Sequence, residues 1–314
     1  MVNIKDCALV ISPYCSNNCI FCRPLGANSR LSPEKLKEAE DNLYKNIDYF
    51  KNGGYTSVDI SGGDPLEYRG LAALVRRLKK EGFKAIGIST NGVALHDAGF
   101  CRRLIENGMN KFRIPLYGSC ASVHDAVTRA KGSFAATVQG IKNIRKNSKK
   151  TKIVLSCLLL KQNVRDLTGV FDLMHKLNCD QAYFSSAFVT NEEFRKFYIP
   201  LRSQGPFYRH LILHARKAKK PVFFWEVPFC LIGFDNDFTS NSRIPAHLGK
   251  FYELPEKVRT DIADIPSYRK KVKVAMCSRC AVYFKCDGFY VNDITRYGLG
   301  NLKPIETNME DGLA

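Results

Sequence analysis

The chain has 314 residues, 45% hydrophobic and 25% charged, which allows a sizeable core and excludes wholesale disorder. Its 48 Lys and Arg against 30 Asp and Glu give a net charge of +18, a balance suited to acidic partners such as nucleic acid or an acidic peptide. No apolar stretch approaches the roughly 20 residues of a membrane helix. The N-terminus, MVNIKDCALVISPYC, lacks a basic n-region, an adequate h-region and a cleavage site, so a cytoplasmic protein is expected.

Short apolar strands are predicted at 7–12 (CALVIS), 56–61 (TSVDIS), 84–89 (KAIGIS), 112–116 (FRIPL), 152–160 (KIVLSCLLL) and 181–186 (QAYFSS). Their near-continuous hydrophobicity predicts a parallel sheet buried on both faces. Helical patterns separate them. Ser32 and Pro33 open the first, which Gly53 and Gly54 stop. Leu71, Leu74, Val75 and Leu78 mark the second, and Phe100, Leu104 and Ile105 the third. Ser133 is the expected cap of a fourth, carrying Phe134, Val138, Ile141 and Ile144. Leu167, Val170, Phe171, Met174 and Leu177 mark a fifth. Six strand–helix units predict an α/β fold, a partial (β/α)6 TIM-like barrel, with an open doubly wound sheet as the alternative.

After about residue 190 the pattern changes. A helix near 206–219 precedes KPVFFWEVPFC, read as a strand whose aromatics are core. A barrel domain over 1–220 and a small cysteine-rich extension over 221–314 are expected. The stretch around Asp235 and Asp237 is a candidate lid. His210 and His214 share a helix face without the Glu of a zinc protease motif, and are read as a solvated or packed face.

Six of the twelve cysteines are clustered, which in a reducing compartment points to metal or catalytic chemistry rather than disulfides. Cys15, Cys19 and Cys22 follow the first strand with gaps of three and two residues. A structural zinc site wants four ligands. A 4Fe–4S cubane on three thiolates leaves one iron open. A loop after the first strand would put it at the C-terminal mouth of the sheet, where α/β barrels place their active sites.

At these residues the sequence resembles the radical S-adenosylmethionine superfamily. The shared features are Cys15-x3-Cys19-x2-Cys22 with Phe21 before the last cysteine, SGGDP (61–65) and STNG (89–92). SGGDP looks like the family's GGEP element with Asp64 for Glu. The stretch 117–144 is similar to relatives that modify peptides or mature cofactors and carry extra iron–sulfur clusters. The resemblance covers about 4–190. It implies that S-adenosylmethionine chelates the open iron and is reductively cleaved to methionine and a 5′-deoxyadenosyl radical, which abstracts hydrogen from a substrate. It also implies an electron donor such as flavodoxin or ferredoxin.

The resemblance assigns roles to matching residues. Gly62, Gly63, Asp64 and Pro65 would contact the methionine amino group. Phe21 would place its backbone near the adenine. Ser89 and Asn91 would reach methionine or substrate, Ser156 a ribose or carboxylate, and Arg129 the carboxylate. Pro115 stands where a cofactor-contacting serine is usual, leaving Tyr117 as a candidate substitute. The bland readings compete: SGGDP as an Asx-type turn, STNG as an ordinary strand exit, Ser156 as core.

Cys277, Cys280 and Cys286 form a second metal-like cluster, with zinc as its competing occupant. The spacing resembles part of the auxiliary-cluster extensions called SPASM or twitch domains, and implies a second 4Fe–4S cluster. The next cysteine of that pattern is replaced by Tyr290. Cys230 is the candidate fourth ligand, against a reading as a buried thiol. The expected substrate is a peptide or protein, with RNA, a nucleotide or a small metabolite as alternatives. The non-enzyme alternative is a zinc-stabilised nucleic-acid-binding protein.

Overall fold

The computed structural model describes residues 6–11, 14–22, 33–187, 192–233, 239–241 and 270–306. Eight strands run parallel in one open sheet, in chain order from edge to edge. They are β1 (Asp6–Ile11), β2 (Ser57–Gly62), β3 (Ala85–Ser89), β4 (Lys111–Pro115), β5 (Lys152–Leu158), β6 (Gln181–Ser185), β7 (Val222–Trp225) and β8 (Thr239–Asn241). The connections carry α1 (Pro33–Asn52), α2 (Leu71–Lys80), α3 (Ala98–Asn107), α4 (Ala121–Thr128), α5 (Ser133–Asn147), α6 (Leu167–Lys176), α7 (Glu192–Arg195), α8 (Gly205–Ala218) and α9 (Phe229–Ile232). The sequential parallel order, with crossover helices, is that of a partial TIM-like barrel.

The sheet has two more strands than the six expected, because β7 pairs with β6 and β8 with β7. It therefore runs past residue 220, where the extension was expected to begin. The strands are also not buried on both faces. Val58, Ile60, Ile86, Ile88, Phe112 and Ile114 pack under the helices in one continuous core. Alternate residues on the other face are only partly buried, and include Asp59, Ser89, Arg113, Ser156, Tyr183 and Trp225. The period of two puts a polar lumen inside the barrel.

Helix ends bring a second correction. Ser133 lies inside the first turn of α5, and Gly132 (φ 86°) is the cap residue. Asp125, one helix earlier, does the capping. It accepts from the Gly132 and Phe134 amides at 2.7 and 2.8 Å and from the Ser133 hydroxyl at 2.9 Å. These satisfy amides that the first turn leaves without partners. Sequence spacing did not reveal the eight-residue helix α4 that makes this contact.

The C-terminal cysteine-rich region contains a short antiparallel pair, β9 (Lys271–Val272) with β10 (Phe289–Tyr290), followed by α10 (Val291–Tyr297). Val282, Phe289 and Tyr290 join the barrel's own core. The Tyr198 hydroxyl donates to buried Asp293 of α10, which fixes this helix to the barrel. Asp235 and Asp237, the candidate lid, lie outside the described residues. Among the described residues, no helix is long and apolar enough to cross a membrane.

Candidate active site

The first three cysteines lie in a loop that follows β1. Its shape comes from backbone bonds to α4: Asn18 and Ile20 amides donate to the Thr128 and Val127 carbonyls at 2.9 and 3.0 Å. The Cys22 amide donates to the Cys19 carbonyl at 3.0 Å, which turns the loop. Ile20 and the Phe21 ring anchor it in a small apolar cluster. Phe21 meets Tyr117 edge-on at 5.2 Å and Phe194 at 6.3 Å.

The ends of β2 and β3 latch onto this loop. The Asp64 amide donates to the Tyr14 carbonyl at 2.5 Å, and the Ser16 amide donates to Glu67 Oε1 at 2.5 Å. Asn91 Nδ2 reaches Cys15 Sγ at 3.6 Å and Ser16 Oγ at 3.2 Å, while its Oδ1 accepts from the Val93 amide at 2.8 Å. Gly62 sits at φ 142°, a backbone conformation open to glycine. Asp64 is only 1% exposed. Its Oδ1 accepts from the Leu66 amide at 3.1 Å and the Thr90 hydroxyl at 2.6 Å. That carboxylate is turned into the protein and serves the loop itself, rather than pointing out toward a ligand as expected. Burial pushes it up to about 6, against the pull of the Thr90 bond. Thr90 and Glu67 were not singled out from sequence, although Thr90 lies inside the quoted STNG.

The remaining expected residues take different positions. Ser89 Oγ accepts from Arg113 Nη1 at 3.0 Å in the lumen. Ser156 lies on the lumen face in register with Pro115 and Tyr183. Arg129 caps α4 with φ 52°, beside the carbonyls that hold the cysteine loop, and pairs with Glu193 at 3.6 Å. Tyr117 is buried, and its amide donates to His124 Nδ1 at 3.2 Å. Pro65, buried, opens a 3-10 turn after Asp64.

The thiols sense one another. Burial pushes Cys19 up to about 12, and the neighbouring Cys22 and Cys15 push the same way. Burial also raises Cys15 and Cys22. The coupling places the three thiols near one another, and burial disfavours each thiolate unless a positive centre offsets it. Among the described residues, no three His, Cys, Asp or Glu converge as ligands of one ion. A cubane divides its thiolates among separate irons, so it wants a wider set than a single zinc does.

The second cysteine set gathers near the other edge of the sheet. Cys230 lies on α9, directly after β7, and Cys277, Cys280 and Cys286 come from the C-terminal region. All four line one small pocket, walled by Phe229, Met276, Val282 and Tyr283. Burial first, then the other three cysteines, pushes Cys230 up to about 12. Tyr290, standing where a further cysteine was sought, donates its hydroxyl to Glu226 Oε2 at 2.6 Å.

Residues 9–174, more than half of the chain, match the family model described as the radical SAM superfamily. The chain belongs to that superfamily. Membership makes it an enzyme, and implies a 4Fe–4S cluster and S-adenosylmethionine. Cys15, Cys19 and Cys22, together on the loop after β1, are the candidates to hold the cluster.

Among similar proteins is a probable GTP 3′,8-cyclase of Sulfurisphaera tokodaii, 26% identical over 58% of this chain and 55% of its own length. Another is the Fe-coproporphyrin III synthase of Methanosarcina barkeri, 28% identical over 52% of this chain and 39% of its own length. The chain thus spans about half, or less, of the length of these curated relatives. Among solved structures, Streptococcus suis SuiB bound to precursor peptide SuiA superposes over 96% of this chain and 75% of that one, with TM-score 0.63 and 17% identity. Native anSMEcpe with bound AdoMet and Cp18Cys peptide superposes over 70% of this chain and 63% of that one, with TM-score 0.54 and 14% identity. These structural likenesses establish the shared fold.

Proposed function

We propose that this radical SAM enzyme abstracts hydrogen from a peptide or protein substrate and uses an auxiliary iron–sulfur cluster in the reaction. The observation that carries the first half is the latch: the three-cysteine loop, SGGDP and STNG meet at one mouth of the barrel through Asp64, Glu67 and Asn91. When loaded, the cluster and S-adenosylmethionine supply the radical. The chain's own residues position them. Backbone at 62–65 would meet the methionine amino group, while Asn91 donates toward Cys15 and Arg129 stands by the loop. Phe21, Ile20 and Tyr117 keep water from its inner side.

Four cysteines around one cavity support the auxiliary cluster, with Cys230, Cys277, Cys280 and Cys286 as a complete ligand set and a SPASM- or twitch-like role. A closed set suits electron transfer. The peptide reading draws on SuiB, whose likeness extends through the C-terminal region and whose structure holds a precursor peptide. The net charge of +18 suits an acidic substrate and an acidic reductant such as flavodoxin or ferredoxin. A nucleotide substrate is the second reading, favoured by the relative named a GTP 3′,8-cyclase.

Anaerobic reconstitution tests this. Brown protein with about eight irons, forming 5′-deoxyadenosine only with reductant, is expected. Cys22→Ala abolishes that product. Zinc without iron at both sites overturns the reading.

A further inference from the structure

The lumen carries an ionic network that the latch does not use. Arg113 of β4 reaches across β3 to Asp59 of β2: its Nη2 lies 3.3 Å from Asp59 Oδ2, and its Nη1 donates to Ser89 Oγ. Lys111 Nζ lies 3.8 Å from the same Asp59 oxygen. Gly87 makes this span feasible, since a Cβ there would stand 2.5 Å from Asp59 Oδ1. The Arg113 guanidinium also sits 5.8 Å from the Trp225 ring. Tyr183 and Phe223, in register on β6 and β7, form an aromatic wall with centroids 5.2 Å apart.

Two features leave this network incomplete. A guanidinium has five N–H donors, and the described bonds of Arg113 engage one on Nη1 and one on Nη2. Among the described residues, buried Trp225 Nε1–H has no acceptor and buried Asp59 Oδ1 has no donor. Charge is also in excess. On this face Lys111, Arg113 and Lys152 stand against Asp6 and Asp59, three positive against two negative, which leaves one positive charge. A single carboxylate balances that charge. A triphosphate would overload it.

We infer that the lumen floor recognises a carboxylate on the substrate, held by Arg113 and by the indole N–H of Trp225. The inference rests on the radical-enzyme reading for its substrate. Arg113 pairs with a carboxylate through two parallel bonds, which a peptide amide does not match. With its carboxylate on the floor, the rest of the substrate extends past Ser156 and Tyr183 toward the mouth where the cysteine loop lies. Arg113 and Trp225 thereby set which carbon is presented there.

Trp225 is the chain's only tryptophan, so its fluorescence reports on this floor directly. The reconstituted protein is titrated anaerobically with N-acetylglutamate, N-acetylglutamine and inorganic phosphate. A saturable change with the glutamate compound alone is expected, with affinity at least about tenfold weaker in Arg113→Gln. Trp225→Phe, followed by calorimetry, keeps the ring and loses the donor. Severalfold weaker binding of N-acetylglutamate is expected there, and this arm decides the matter if Arg113→Gln unfolds. Equal response to N-acetylglutamine, tighter binding of phosphate, or unchanged affinity in the folded variants overturns the proposal. Formation of 5′-deoxyadenosine without any of these probes tests the radical reading separately, so each can fail alone.

Discussion

The Thr90 hydroxyl donates to Asp64 Oδ1 at 2.6 Å, and both side chains are buried. The same hydroxyl accepts from the Gly92 amide at 3.0 Å. One small side chain thus ties the end of β2 to the exit of β3. Thr90→Val keeps the shape and strips both bonds. It leaves a buried carboxyl with one partner fewer, a loss of about 1–3 kcal/mol. Chemical denaturation of Thr90→Val and Thr90→Ser is the check. Serine recovers most of the loss, and a valine effect below about 0.5 kcal/mol would contradict the latch.

Asn91 Nδ2 donates toward a thiol of the first cluster loop, at 3.6 Å from Cys15 Sγ. Groups one step behind metal ligands tune them, and losing one costs about ten- to hundredfold in affinity or activity. Asn91→Ala is expected to slow reductive cleavage of S-adenosylmethionine by that factor while its iron content stays that of the parent. An unchanged rate would remove Asn91 from the site.

Cys230 shares its cavity with Cys277, Cys280 and Cys286. Cys230→Ala is expected to lose the second cluster, about four irons per chain. Cys101→Ala, in the fully buried core of α3, keeps them all. Iron analysis of the two variants side by side decides the ligand. Full iron in Cys230→Ala would return that thiol to the core.

His124 gives the fold a dependence on pH. Its Nδ1 accepts from the Tyr117 amide, so the ring is held neutral, and burial pushes it from 6.5 down to about 4. Above pH 6.5 both folded and unfolded chains keep the ring neutral, and stability is complete. As pH falls from 6.5 toward 4, only the unfolded chain takes the proton, and up to about 3 kcal/mol is lost. His124→Asn flattens that slope. Denaturation midpoints of the two proteins across this window are the measurement, and parallel slopes would contradict it.

Local chemistry made much of this protein legible in sequence. The six predicted runs of five to nine residues became strands within a residue or two, since burial against helices needs little else. The three thiols of CSNNCIFC were readable because their spacing lies within one loop. Cys230 was picked from sequence as the candidate fourth thiol, and the fold sets it on the wall of one pocket with Cys277, Cys280 and Cys286. What stayed hidden depended on pairs far apart in the chain. Asp125 caps a helix that begins eight residues later. Asp64 turns inward because Thr90, 26 residues on, offers it a donor.

The aromatic run VFFW shows the boundary between the two. Composition marks it as core, and for Phe224 that is so. Only strand pairing decides that Phe223 and Trp225 face the lumen instead, with Trp225 beside an arginine three strands earlier in the chain. The sequence determined which residues could be buried and which thiols could share a metal. The tertiary structure alone decided which side of each strand met the helices and which met the lumen, because side-chain direction follows from register between strands and not from any residue by itself.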